Sequence, residues 1–175
     1  MRKLFYMLLL LLFSLNAYSQ NALEYYEDGI EYLEDYEKSH SGYDFNKALH
    51  CFNKAIELKE NYKDAYYSRG KLFLKSKELQ RALSDFTIVV FLDSNDYTAY
   101  NSLGYTLLEG ANSNDEINEA VNCYSKAILI NPNSGLSYYN RGICFARLGQ
   151  YLTACKDMEK AVSLGFDEAS LYLKK

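Results

Sequence analysis

The chain has 175 residues, with 19 basic and 23 acidic side chains, a net charge of −4, two histidines and four cysteines. An acidic balance without a basic cluster argues against a nucleic-acid partner, because phosphate binding needs a concentrated cationic face. His40 and His50 stand in no Cys/His spacing that suggests zinc, and no set of groups fills the combined duties of nucleophile, base and stabiliser.

Arg2 and Lys3 precede an apolar run, Leu4–Phe13, which gives way to Asn16-Ala17-Tyr18-Ser19-Gln20. Positive residues, a short apolar core and a small-x-small site predict a signal peptide over residues 1–19, cleaved after Ser19. The run is shorter than the roughly 20 apolar residues that a membrane span needs. No cysteine follows it closely enough for a lipoprotein anchor. With Gln20 directly after the site, this N-terminus resembles those of exported bacterial proteins, and the expected location is the periplasm or the extracellular space. Loss of Arg2 and Lys3 lowers the 19 basic residues to 17 against 23 acidic ones, a net charge of −6. The acidic excess gathers at the start of the mature chain: Glu24, Glu27, Asp28, Glu31, Glu34, Asp35 and Glu37. It reads as a solvated terminal face, or as a docking site for a basic partner.

From there on the chain repeats itself. Tyr25, Tyr66, Tyr100 and Tyr138 each stand four residues before a glycine: Gly29, Gly70, Gly104 and Gly142. A bulky residue (Tyr32, Phe73, Leu107, Phe145) completes an i, i+4, i+7 set, which is one face of a helix. Behind each glycine comes a second face of the same period: Ala48/Phe52/Ala55, Ala82/Phe86/Val89, Ala120/Tyr124/Ala127 and Ala154/Met158/Ala161. Glycine within a helix costs about 0.5–1 kcal/mol relative to alanine, so its return in register implies that two helices cross closely there. Asn131-Pro132 and Leu148-Gly149-Gln150 supply breaks between helices.

A period near 34 residues of paired helices resembles the tetratricopeptide repeat, and the resemblance covers almost the whole mature chain. It implies an all-α, right-handed α-α superhelix of about four helical hairpins plus a short C-terminal capping helix. The mature region 20–175 then forms a single domain with repeats at 22–62, 63–96, 97–134 and 135–168 and a cap at 169–175. Tyrosine replaces the family's usual tryptophan in all four units, and its closing proline survives only as Pro132. The first repeat carries about seven extra residues near Lys38–Asp44 and the third about four near Asn112–Asp115. Both insertions are expected in the turn between helices, where a solenoid tolerates them.

Cys51 and Cys123 take the same place in repeats one and three, which sets them several helix layers apart, beyond the roughly 7 Å that a disulfide can span. Cys144 and Cys155 lie on the two helices of one hairpin, which leaves their pairing open, although free apolar cysteines are the favoured reading. No metal, cofactor or catalytic residue is expected.

Binding remains. The family resemblance implies that the first helices line a concave groove for a peptide or a partner's helix. Matching positions are Tyr26, Ile30, Tyr67, Lys71, Lys75, Asn101, Tyr105, Tyr139, Asn140 and Arg147. In Tyr25-Tyr26, Tyr66-Tyr67 and Tyr138-Tyr139 the first ring should point into the hairpin and the second about 100° round the helix. The second rings either line the groove or pack between repeats. Lys71, Asn101, Asn140 and Arg147 do not reproduce the clamp by which related domains grip a chaperone's C-terminal carboxylate. The expected function is a non-catalytic protein-binding scaffold of the cell envelope. Two alternatives are a module that self-associates through its end faces and an accessory subunit that docks through the acidic first helix.

Overall fold

The structure is a computed structural model that describes the backbone of residues 2–173 and the side chains of residues 20–173. The expected signal sequence, residues 1–19, and Lys174 and Lys175 lie outside the described side chains. Regular structure among the described residues is helical throughout: α1 (Arg2–Ser39), α2 (Gly42–Leu58), α3 (Lys63–Lys75), α4 (Leu79–Leu92), α5 (Tyr97–Gly110), α6 (Asn114–Ile130), α7 (Gly135–Arg147), α8 (Tyr151–Ser163), a 3-10 turn (Asp167–Ala169) and α9 (Ser170–Leu173). Contacts divide the chain into two compact units, Met1–Ser76 and Lys77–Lys175.

In the first unit α1 packs along α2, and both meet α3. In the second, each helix from α4 to α8 packs on the next, α5 also touches α7, and the 3-10 turn and α9 close against α8. Contacts to the next helix and to the next but one are what stacked hairpins produce.

Every alanine, large and small residue of the second-helix columns is buried, from Ala48, Phe52 and Ala55 to Ala154, Met158 and Ala161. Phe52 joins Leu33, Ala48 and Leu72 in one cluster, and Tyr124 joins Leu108, Ile117, Ala120 and Cys144 in another. Full burial of a phenylalanine side chain contributes about 1.5–3 kcal/mol, so these columns carry much of the hairpin stability. The glycines show why the crossing is close: a methyl on Gly29 would fall 2.6 Å from Phe52 Cε1, and one on Gly104 3.1 Å from the Tyr124 ring.

The insertions lengthen helices, which corrects the expectation that they would lie in the turns. The first turn is only His40-Ser41, and the extra residues wind into the end of α1 and the start of α2, where the Tyr36 and Phe45 rings meet edge-on at 5.6 Å. Ser41 caps α2 by accepting from the Tyr43 N–H. In the third repeat α6 has 17 residues against 13 in α8. Its start is fixed by a capping box in which Ser113 Oγ accepts from the Glu116 N–H and the Glu116 carboxylate accepts from the Ser113 N–H. Extra residues that satisfy helix-terminal N–H groups are more stable wound than looped.

Candidate functional site

Helix starts set the first helices of the repeats. Asp96 accepts from the Thr98 and Ala99 N–H groups at the head of α5, and Ser134 from the Ser137 N–H at the head of α7. On α5 this places Asn101 and Tyr105 one turn apart, and on α7 it places Asn140 and Arg147 two turns apart, each pair on one face.

The ten residues matched to a groove divide by use. In the first unit Tyr26 is half-buried, its ring 5.2 Å from Tyr62 and 6.3 Å from Phe52, and Ile30 packs against the Leu33/Phe52 cluster. Lys75 Nζ lies 3.3 Å from Glu37 Oε1, while Tyr67 and Lys71 are half-buried on the same helix. In the second unit Tyr139 is wedged against Phe166 at 4.8 Å and edge-on to Tyr172 at 5.8 Å. Burial, and then the Tyr172 side chain, push its phenol above the usual value. For Tyr26 and Tyr139, then, the second ring of the pair is a packing group between successive helices. Arg147 is equally occupied: Nη1 donates to Leu108 O at 2.8 Å and Nη2 to Ala111 O at 3.2 Å, which ties the end of α7 to the end of α5.

Asn101 is buried; its Nδ2 donates to Ser137 Oγ at 2.8 Å and to Tyr97 O at 3.1 Å, whereas its Oδ1 has no partner. It occupies the column that holds Tyr26, Tyr67 and Tyr139 elsewhere, so one layer exchanges an aromatic contact for an amide–hydroxyl bond. Beside it Tyr105 is exposed and Asn140 half-exposed. Of the matched residues in the second unit, Tyr105 and Asn140 thus remain accessible, beside the Asn101–Ser137 link.

One network escaped the sequence reading. Arg141 Nε and Nη2 donate to Asp157 Oδ2 and Oδ1 at 2.8 and 2.9 Å, and Nη1 to Ser125 Oγ at 3.2 Å, so a largely buried fork binds α7 to α8 and to α6. The signal was available as an arginine followed 16 residues later by an aspartate, since Arg69 and Asp85 stand at the same spacing. All four cysteines are free: Cys144 is buried against Tyr124, whereas Cys155 is exposed. Among the described residues no cluster of three or more His, Cys, Asp or Glu could hold a metal ion, and no helix is long and apolar enough to cross a membrane.

Two family descriptions fit parts of this stack of helical hairpins: TPR repeat at residues 44–77 and Tetratricopeptide repeat at residues 123–156. Two stretches of the chain thus match tetratricopeptide repeats. It is similar to the DnaJ homolog subfamily C member 7 homolog of Dictyostelium discoideum, with 30% identity over 102 residues, 58% of this chain and 19% of that protein. The chain thus spans less than a fifth of the curated relatives it matches. Among solved structures, MamA 41-end from Desulfovibrio magneticus RS-1 superposes with a TM-score of 0.70 at 24% identity, covering 82% of this chain and 75% of that one. The first TPR of Spaghetti (RPAP3), bound to the HSP90 peptide SRMEEVD, superposes with a TM-score of 0.65 at 20% identity, covering 75% and 95%. These likenesses establish the all-α repeat-solenoid fold.

Proposed function

We propose that the chain is a non-catalytic scaffold that holds an extended segment of a partner protein on the first-helix faces of its repeats, in the cell envelope after removal of residues 1–19. The observation that carries the reading is the contrast on α5 and α7. Arg147, Tyr139 and most of Asn101 are committed to packing, while Tyr105 and Asn140 are left as an aromatic group and an amide with no structural duty assigned. Tyrosine offers a large contact area with few torsions to freeze, and an amide can pair with a peptide's own N–H and C=O groups. A preformed helical surface adds little ordering cost of its own. The RPAP3 domain, which shares this fold, holds a peptide, so such a scaffold is physically suited to the task.

The test is affinity capture from an envelope extract with wild-type protein and with the Tyr105→Ala/Asn140→Ala double variant, both checked for the same thermal midpoint. A partner captured by the first and lost by the second supports the reading. Capture that survives the double variant but disappears at high salt would overturn it in favour of the acidic α1 surface. The location is tested by N-terminal sequencing of envelope protein: a start at Gln20 supports export, and an intact Met1 in the cytoplasm refutes it.

A further inference from the structure

The insertion in the third repeat builds one wall of a cleft. α6 starts at Asn114, six residues before Ala120, whereas α4 and α8 start three residues before Ala82 and Ala154. The added turn carries Glu116, and Glu119 follows at i+3 on the same face. These two carboxylates, with Leu79, Gln80 and Leu83 of α4 and Leu107 of α5, line an open cavity of about 220 Å³ within the unit Lys77–Lys175.

The lining divides into an apolar part and an anionic one. Leu79, Leu83 and Leu107 are half-buried, while Gln80, Glu116 and Glu119 are exposed. Glu116 Oε2 accepts from the Asn112 and Ser113 N–H groups at 2.6 and 3.1 Å, which fixes that carboxylate in place. Glu119 and Gln80 have no hydrogen bond or ion pair among the described residues. No lining residue is basic, and the cations beside the α4 wall are engaged elsewhere: Lys77 pairs with Glu109 at 3.5 Å and Arg81 with Glu78 at 2.5 Å.

Two carboxylates without a cation, beside a leucine surface, match a long basic side chain, whose methylene stem covers apolar surface while its charged head stays in water. Arginine fits better than lysine, because its planar guanidinium carries five donors in a rigid fork that can meet Glu116, Glu119 and the Gln80 carbonyl together. A free amino acid fits poorly, since nothing in the lining would neutralise its α-carboxylate. An arginine within a polypeptide carries no such charge.

We propose that the cleft between α4 and α6 receives an arginine side chain of a partner protein. The proposal does not rest on the peptide-binding reading, because Leu107 stands about 200° round α5 from Tyr105.

Leucine-methyl NMR of the protein, titrated with N-acetyl-arginine amide, tests the inference. Saturable shifts centred on Leu79, Leu83 and Leu107 are expected, with a Kd on the order of millimolar for a probe of this size. N-acetyl-citrulline amide, which keeps the shape and loses the charge, should bind about 5-fold more weakly, and Glu119→Gln should weaken the arginine probe about 3-fold. Free arginine should bind more weakly than the capped probe. Tyr105→Ala/Asn140→Ala should leave the titration unchanged, which separates this cleft from the α5 and α7 surface. No saturable shift up to about 50 mM probe, equal shifts with citrulline, indifference to Glu119→Gln, tighter binding of free arginine, or shifts centred on the acidic α1 surface would each overturn the proposal.

Discussion

Gly29→Ala should destabilise the first unit although alanine is the better helix former. The substitution gains about 1 kcal/mol of helix propensity. Against that, the added methyl would lie 2.6 Å from Phe52 Cε1 and 2.8 Å from Cδ1, whereas carbon atoms rest about 3.5–4.0 Å apart. Phe52 has no room to yield, being fully buried among Leu33, Ala48 and Leu72. Overpacking of such a site costs about 1–3 kcal/mol, and the 2.6 Å approach puts Gly29 towards the upper end, which leaves a net loss of up to about 2 kcal/mol. The other glycines grade the effect. At Gly104 the Tyr124 ring stands at 3.1 Å and the loss should be smaller; at Gly142 the 2.9 Å neighbour is the flexible end of Met158, and the change should be close to zero. Gly42, at the start of α2, has nothing within 4 Å of its added methyl, so Gly42→Ala should stabilise by up to about 0.5 kcal/mol. Urea unfolding reads all four variants as shifts in midpoint at constant slope. Equal gains at Gly29 and Gly42 would refute the idea that the glycine column exists for close packing.

Three further outcomes follow from the same geometry. The Tyr124 hydroxyl is buried without a hydrogen-bond partner, and burial pushes its pKa upward, so Tyr124→Phe should stabilise by about 1 kcal/mol; a loss in urea unfolding would mean that the hydroxyl is bonded. The Asn112 N–H, and after it the Ser113 backbone and hydroxyl, hold the Glu116 carboxyl below its ordinary value. A depressed carboxyl contributes stability above its unfolded pKa and loses it as pH falls through the folded one, so acid should fray the start of α6. Glu116→Gln should flatten that part of the stability profile, and an identical profile in wild type and variant would count against the capping box. Burial pushes the Cys144 thiol up to about 12 and Cys123 up to about 11, while Cys155 is exposed. At pH 8 and about 1 µM protein, a thiol reagent should therefore label Cys155 rapidly and Cys144 only in denaturant, and rapid labelling that survives Cys155→Ser would contradict the raised pKa of the other thiols.

The sequence by itself determined the hairpins. A helix repeats every 3.6 residues, so the Tyr/Gly and Ala/large/small spacings fix which side of each helix faces its partner, and the columns from Ala48 to Ala161 are buried as that spacing requires. Caps were equally local, as Ser113 with Glu116 shows. Contacts between successive repeats were not legible, because they depend on how one hairpin is rotated against the next and no residue spacing encodes that angle. Tertiary structure alone decided that Tyr26 and Tyr139 pack between helices, that Arg147 is spent on the carbonyls of Leu108 and Ala111, and that Asn101 is buried against Ser137. It also separated Ile117, covered by α7, from its counterpart Tyr151, which stays exposed. Period assigns a residue to a face; only the stacking of one layer on another decides whether that face meets protein or solvent.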